Sequence, residues 1–125
     1  MKSKRIFVSC SVEDEKTRAL FSSILHNRAV SHYSSNIPAL QLLNDDYKAN
    51  CRATIKASHG VIALISAHQY AQRELWEINC AHEENIPLIG FYINGATSIN
   101  KPAAMGDVLC KNWTWDNVNE FIDSL

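Results

Sequence analysis

The stretch GVIALIS, residues 60–66, decides the fold of this chain. It is the clearest buried strand in the sequence. Val61 through Ile65 are apolar without interruption, and three of the five are β-branched. A strand with one wet face alternates polar and apolar residues; an unbroken run predicts a strand covered on both faces, as in a parallel sheet. Two more stretches repeat the pattern. RIFVSC (5–10) carries Ile6, Phe7 and Val8 in succession, and PLIGFYI (87–93) reads as a fourth strand. AVSHYSS (29–35) predicts a short second strand, and DVLC (107–110) a short edge strand.

Helical patterns separate these strands. SVEDEKTRALFSSIL follows the first strand, with Ser11 placed to cap, an acid-rich first turn, and Leu20, Phe21, Ile24 and Leu25 at helical spacing. In IPALQLLNDDYKANCRATIKAS (37–58), Leu40, Leu43, Tyr47, Cys51 and Ile55 recur every three or four residues, with a break near Asn44–Asp46. RELWEINCAHEE (73–84) and DNVNEFIDSL (116–125) predict two further helices, and NGATSINKPAAMG (94–106) a polar loop. Strands alternating with helices over short connections predict a three-layer α/β fold, a flavodoxin-like doubly wound parallel sheet of four or five strands. The chain of 125 residues has the size of one such domain spanning 1–125.

Composition narrows the function classes. With 46% apolar and 20% charged residues the chain is ordinary globular material. The formal charge is −1 and Lys and Arg are scattered, so neither a nucleic-acid stripe nor a polybasic membrane patch is expected. The apolar runs fall far short of the roughly 20 residues of a membrane span. The charged start MKSKRIFVSC lacks a signal-peptide core, which predicts a cytoplasmic protein. The four cysteines, Cys10, Cys51, Cys80 and Cys110, show no CxxC and no zinc-ligand spacing with histidine; reduced, mostly buried thiols are expected, and no metal.

In doubly wound sheets ligands sit at the carboxyl ends of the strands, near the switch in strand order. That rule points to Ser9–Asp14, Ser66–Arg73 and Tyr92–Asn100. The first turn, SCSVED, has no glycine, which excludes a GxGxxG or Walker loop. The hydroxyls of Ser9 and Ser11, with free N–H groups at the helix start, remain able to meet a ligand or simply to cap. A phosphoacceptor receiver needs an aspartate after the third strand, where this chain has Ser66 and Ala67. No GxSxG elbow occurs. Of the five histidines only His68 lies near the ligand edge; His82 shares a helix face with Leu75 and Ile78, a core or boundary position. On that helix wheel Glu77 falls about 100–160° from Leu75, Ile78 and His82, beside Arg73, Ala81 and Glu84. Periodicity alone makes Glu77 a surface acid with an i−4 arginine partner.

Four segments in order resemble one family. RIFVSCSVEDE is similar to the opening of Toll/interleukin-1 receptor (TIR) domains and their bacterial TIR-like relatives, and IKASHGVIALIS to their third-strand segment. LWEINCAHEENIPLIGFYI resembles the W-E-I segment that carries the family glutamate. NWTWDNVNEFI resembles the ending of the TIR-like branch found in Thoeris-type antiphage proteins. The resemblance implies an enzyme that cleaves NAD at the nicotinamide glycosidic bond, giving ADP-ribose or a cyclic derivative as a defence signal. NAD would be substrate, with no separate cofactor and no metal. The catalytic role transfers to Glu77, which would hold the ribose hydroxyls and stabilise positive charge on the ribosyl carbon. By the same match Ser9, Cys10 and Ser11, with Asp14 close by, would line the nucleotide pocket; Trp76 would flank it or brace the helix, and His68 or Gln69 would supply a polar helper. Self-association and a nucleotide-sensing effector protein are the partners implied. Two positions depart from the family pattern: Cys10 stands where an aromatic closes the first motif, and Arg73 where a tryptophan precedes the glutamate. They motivate the rival reading, a non-catalytic TIR-type assembly module. A nucleoside deoxyribosyltransferase relative, with a glutamate nucleophile on a similar fold, is the third.

Overall fold

The computed structural model describes residues 5–9, 31–34, 45–66, 72–93 and 95–125. The helix expected after the first strand, the segment 37–44, and the candidate residues Cys10, Ser11, Asp14, His68 and Gln69 lie outside the described residues. Five strands form one parallel sheet: β1 Arg5–Ser9, β2 Ser31–Ser34, β3 Gly60–Ile65, β4 Leu88–Tyr92 and β5 Cys110–Asn112, in the order β2-β1-β3-β4-β5. Described helices are α1 Asp45–Lys56, α2 Gln72–Glu83 and α3 Trp115–Ser124. This is the flavodoxin-like α/β arrangement the sequence predicts. From β1 the chain moves outward to β2 and then returns to β3 on the other side, so the switch point lies between β1 and β3.

Every residue of β3 is buried, the consequence of having both sheet faces covered. Register sorts the side chains by face. Phe7 stands beside Val61 and Ser9 beside Ala63, while Val8 stands beside Ile62. On one face Phe7 and Val61 pack against Cys51 and Ile55 of α1 and Cys80 and Ala81 of α2. Farther along the same face Ala63 and Ile65 meet Ile78 and Met105. The opposite face, built from Ile6, Val8, Ile62, Leu64, Ile89 and Phe91, packs on Val118 and Ile122 of α3. Helices on both faces make three layers.

Small residues let the layers approach. A Cβ on Gly90 would come within 2.7 Å of Cys110 Sγ and Ile65 Cδ1 and 3.0 Å of Met105 Cε. Past the end of α2, Asn85 takes a left-handed φ of 55°, and Ile86 N donates to Ala81 O at 3.0 Å. That closure turns the chain into β4, where Val61 N donates to Pro87 O at 2.8 Å.

Two expectations are corrected here. The edge strand begins at Cys110, not Asp107, because Val108 N is bonded back to Met105 O and the ladder opens with Gly90 N donating to Leu109 O. The stretch read as loop contains two short 3-10 turns, Ser98–Asn100 and Ala103–Met105, the first closed by a Thr97–Asn100 capping box. No helix among the described residues is long and apolar enough to cross a membrane.

Candidate active site

Ser9 is the last residue of β1, and Glu77 sits in the second turn of α2. Since α2 follows β3 and runs back along the sheet, its first turns lie at the carboxyl ends of the strands. Ser9 and Glu77 meet there, at the β1–β3 switch point. Ser9 Oγ donates to Glu77 Oε1 at 2.8 Å. On the other side Cys51 Sγ, from the buried face of α1, approaches Glu77 Oε2 at 3.8 Å. Three elements distant in sequence thus converge on one carboxyl group.

Glu77 is 1% exposed, against the surface position that helical periodicity predicts. Among the described residues the buried polar set is Ser9, Ser58, Ser66 and Glu77, so Glu77 is its one carboxylate. The wheel reading fails for a physical reason. It weights the bulky Leu75 and Ile78, whereas α2 also buries Glu77, Cys80 and Ala81, small or polar residues that carry little hydropathy. The face seated on the sheet is centred near Glu77 and Ala81, and Leu75 is only half-buried. His82, expected at a core or boundary position, is exposed, with Nε2 3.0 Å from Ala104 O. The side chain of Arg73, the expected ion partner of Glu77, is not among those described.

A buried carboxylate is costly unless its oxygens are hydrogen-bonded. Two of the contacts to Glu77 differ in strength, a hydroxyl on Oε1 and the weaker thiol on Oε2. The clusters on this face of the sheet, with Phe7, Val61, Ala63 and Ile78 among them, are apolar. A carboxyl group held this way is fixed in direction and shielded from bulk water, an arrangement that electrostatic catalysis can use when the group is ionised.

Trp76, the neighbour of Glu77, is half-buried against the Phe7–Cys51–Val61 cluster. The Arg52 guanidinium lies 5.6 Å from its ring centroid and reaches Glu84 Oε1 and Glu83 Oε2, each at 2.8 Å. These two carboxylates hold the guanidinium well above its ordinary pKa. Lys56 Nζ stands 3.9 Å from Glu84 Oε2. The cluster ties α1 to α2, and Trp76 braces that junction. Burial pushes the Cys80 thiol up, opposed by the Arg52 cation and reinforced by Glu84, Glu83 and Glu77.

Of the candidate residues, the structure brings Ser9 and Glu77 into direct contact and sets Trp76 beside them, on the α1 side. Sequence reading missed Cys51 as a partner of Glu77. The two lie 26 positions apart on different helices, and an apolar-faced cysteine gives no local signal of its neighbour. Among the described residues no group of three or more His, Cys, Asp or Glu side chains is placed to hold a metal ion.

No protein-family model and no curated protein sequence matches the chain. Solved structures do. A 2-deoxyribosyltransferase from Bacillus psychrosaccharolyticus is 15% identical, with a TM-score of 0.68 over 91% of this chain and 89% of that one. A prokaryotic SEFIR domain is 13% identical, with a TM-score of 0.61 over 98% and 95%. A CMP N-glycosidase from Clostridium botulinum is 13% identical, with a TM-score of 0.59 over 98% and 100%. At such identities the likeness is one of fold: the chain has the flavodoxin-like α/β architecture that these proteins share.

Proposed function

We propose that this chain breaks the N-glycosidic bond to a ribosyl carbon, with Glu77 as the catalytic carboxylate and NAD as the substrate. The observation that carries the reading is Glu77 itself, buried at the switch point and held by Ser9 at 2.8 Å. In NAD the bond joins the ribosyl carbon to a positively charged pyridinium nitrogen. As it breaks, its electron pair passes to nitrogen, nicotinamide leaves neutral, and positive charge develops on the ribosyl carbon. A fixed carboxylate stabilises that charge, and the leaving group requires no proton. Water then adds to the carbon to give ADP-ribose, its proton passing to solvent; attack by a group of the same ADP-ribose gives a cyclic product instead. The TIR-like resemblance extends the reading to a cytoplasmic enzyme of antiphage defence, active on self-association and signalling to a nucleotide-sensing effector.

A second reading draws support from the two nucleoside- and nucleotide-acting enzymes among the fold neighbours. The same carboxylate would then act on a nucleoside or a pyrimidine nucleotide, as nucleophile or electrostatic partner. A neutral base departs more readily once protonated, so this chemistry calls for a general acid that NAD cleavage does not.

One experiment separates them. The purified chain, dilute and under forced assembly, is incubated with NAD, CMP and a pair of deoxynucleosides, and the released bases are resolved by chromatography. The proposal expects nicotinamide, lost in Glu77→Gln. Free cytosine or exchanged bases would move the substrate to the second reading. Release of no base at any protein concentration would leave a non-catalytic assembly module.

A further inference from the structure

We infer that Cys51 is a positioning residue for Glu77, holding Oε2 and setting how readily the carboxyl group takes up a proton. The kinetic part of this inference rests on the proposed glycosidic-bond activity; the titration part does not. Cys51 and Ile55 of α1 are buried against Phe7 and Val61. The sulfur also stands 3.8 Å from Glu77 Oε2, while Ser9 Oγ holds Oε1 at 2.8 Å. Each carboxyl oxygen therefore has a donor from a different element, which fixes the plane of the group as well as its position.

The choice of donor matters. A donor that bonds the ionised form favours ionisation, and a thiol does so less than a hydroxyl. Cys51 thus orients the carboxylate while leaving it more basic than a second hydroxyl would. Several other groups of the region, among the described residues, have contacts of their own. Along α2, Cys80 interacts with Glu77, and Glu83 and Glu84 are engaged by Arg52. On α1 the charged neighbour of Cys51 is Arg52, bound to those two carboxylates and set over Trp76. β1 brings Ser9, and the residues of β3 on this face, Val61, Ala63 and Ile65, carry no titratable group. Substitution at Cys51 therefore changes a contact to Oε2 without removing a charge.

The test is a carboxyl 13C NMR titration of Glu77, assigned by its loss in Glu77→Gln, in the wild-type chain, Cys51→Ser and Cys51→Ala. Alongside it, the pH profile of kcat/KM for nicotinamide release is recorded. Cys51→Ala is expected to raise the Glu77 midpoint, and Cys51→Ser to lower it, each by about half a pH unit or roughly threefold in proton affinity. The acid limb of kcat/KM should move in the same two directions. Both variants are small and the helix position is buried, so far-UV circular dichroism serves to confirm the fold. Equal midpoints in the three proteins, or shifts of the same sign in both variants, would overturn the inference. If the midpoints diverge as expected while no variant releases nicotinamide, the positioning role stands and the NAD reading falls.

Discussion

Replacing Ser9 by alanine removes one hydroxyl and should reveal the charge it serves. In the folded chain Ser9 is 3% exposed and its Oγ lies 2.8 Å from Glu77 Oε1. No bulk water replaces a donor lost at such a site. Hydrogen bonds to charged groups contribute about 1.5–3 kcal/mol, and neutral ones about 1 kcal/mol. Ser9→Ala should therefore cost about 1.5–3 kcal/mol. In a Glu77→Gln background, where Ser9 donates to a neutral carbonyl oxygen, the same change should cost about 1 kcal/mol. The coupling between the two positions is then about 1 kcal/mol, within the range that directly bonded pairs show in double-mutant cycles. Urea unfolding of the four proteins measures it, with the slope m unchanged because the surface exposed on unfolding is the same. For a chain of this length the single change corresponds to a melting point lower by roughly 5–12 °C. A cost under about 0.5 kcal/mol, equal in both backgrounds, would refute the claim that Ser9 grips a buried charge.

Other perturbations test the frame around the site. Gly90→Ala places a methyl group 2.7 Å from Cys110 Sγ and Ile65 Cδ1, and should cost about 1–3 kcal/mol by overpacking, read by the same urea titration. The buried Cys80 and half-buried Cys110 thiols predict an alkaline limit. Burial raises Cys80, against Arg52, and Cys110, against Lys101, so both prefer the neutral form when folded. The unfolded chain then loses these protons first, and stability should be complete below about pH 8.5 and fall as pH rises above it. Unfolding free energies at pH 8 and 10 should differ less in a Cys80→Ala, Cys110→Ala variant; an unchanged slope would contradict the assignment.

Much of the architecture was legible because the strands announce themselves. Val61–Ile65 and Leu88–Tyr92 are apolar runs bounded by turns, and the sheet buries all of the first and the middle three residues of the second. β5 was misplaced by three residues, since Val108 and Leu109 read as strand while a turn ending at Gly106 delays the ladder. The site was legible in a different way. Strand-end logic pointed to Ser9 and stopped short of Glu77 at Arg73; the family resemblance alone singled out Glu77, while helical periodicity placed it on the surface. Hydropathy scores an acid as solvent-facing, and the sequence carries no mark of the Ser9 hydroxyl 68 positions away. Cys51 was invisible for the same reason. A contact between two helices is decided by how each sits on the sheet, a property of neither helix alone.

The central claim is that Glu77 is buried at the strand ends in order to act on a ribosyl bond, and nicotinamide release by Glu77→Gln tests it most directly. Glutamine keeps the shape and an acceptor for Ser9 but removes the negative charge. Wild-type protein incubated with NAD should release nicotinamide, and the equally folded variant should be slower by about a hundredfold or more, the scale of losing one electrostatic contact to a transition state. A folded Glu77→Gln chain that releases nicotinamide at the wild-type rate would contradict the account.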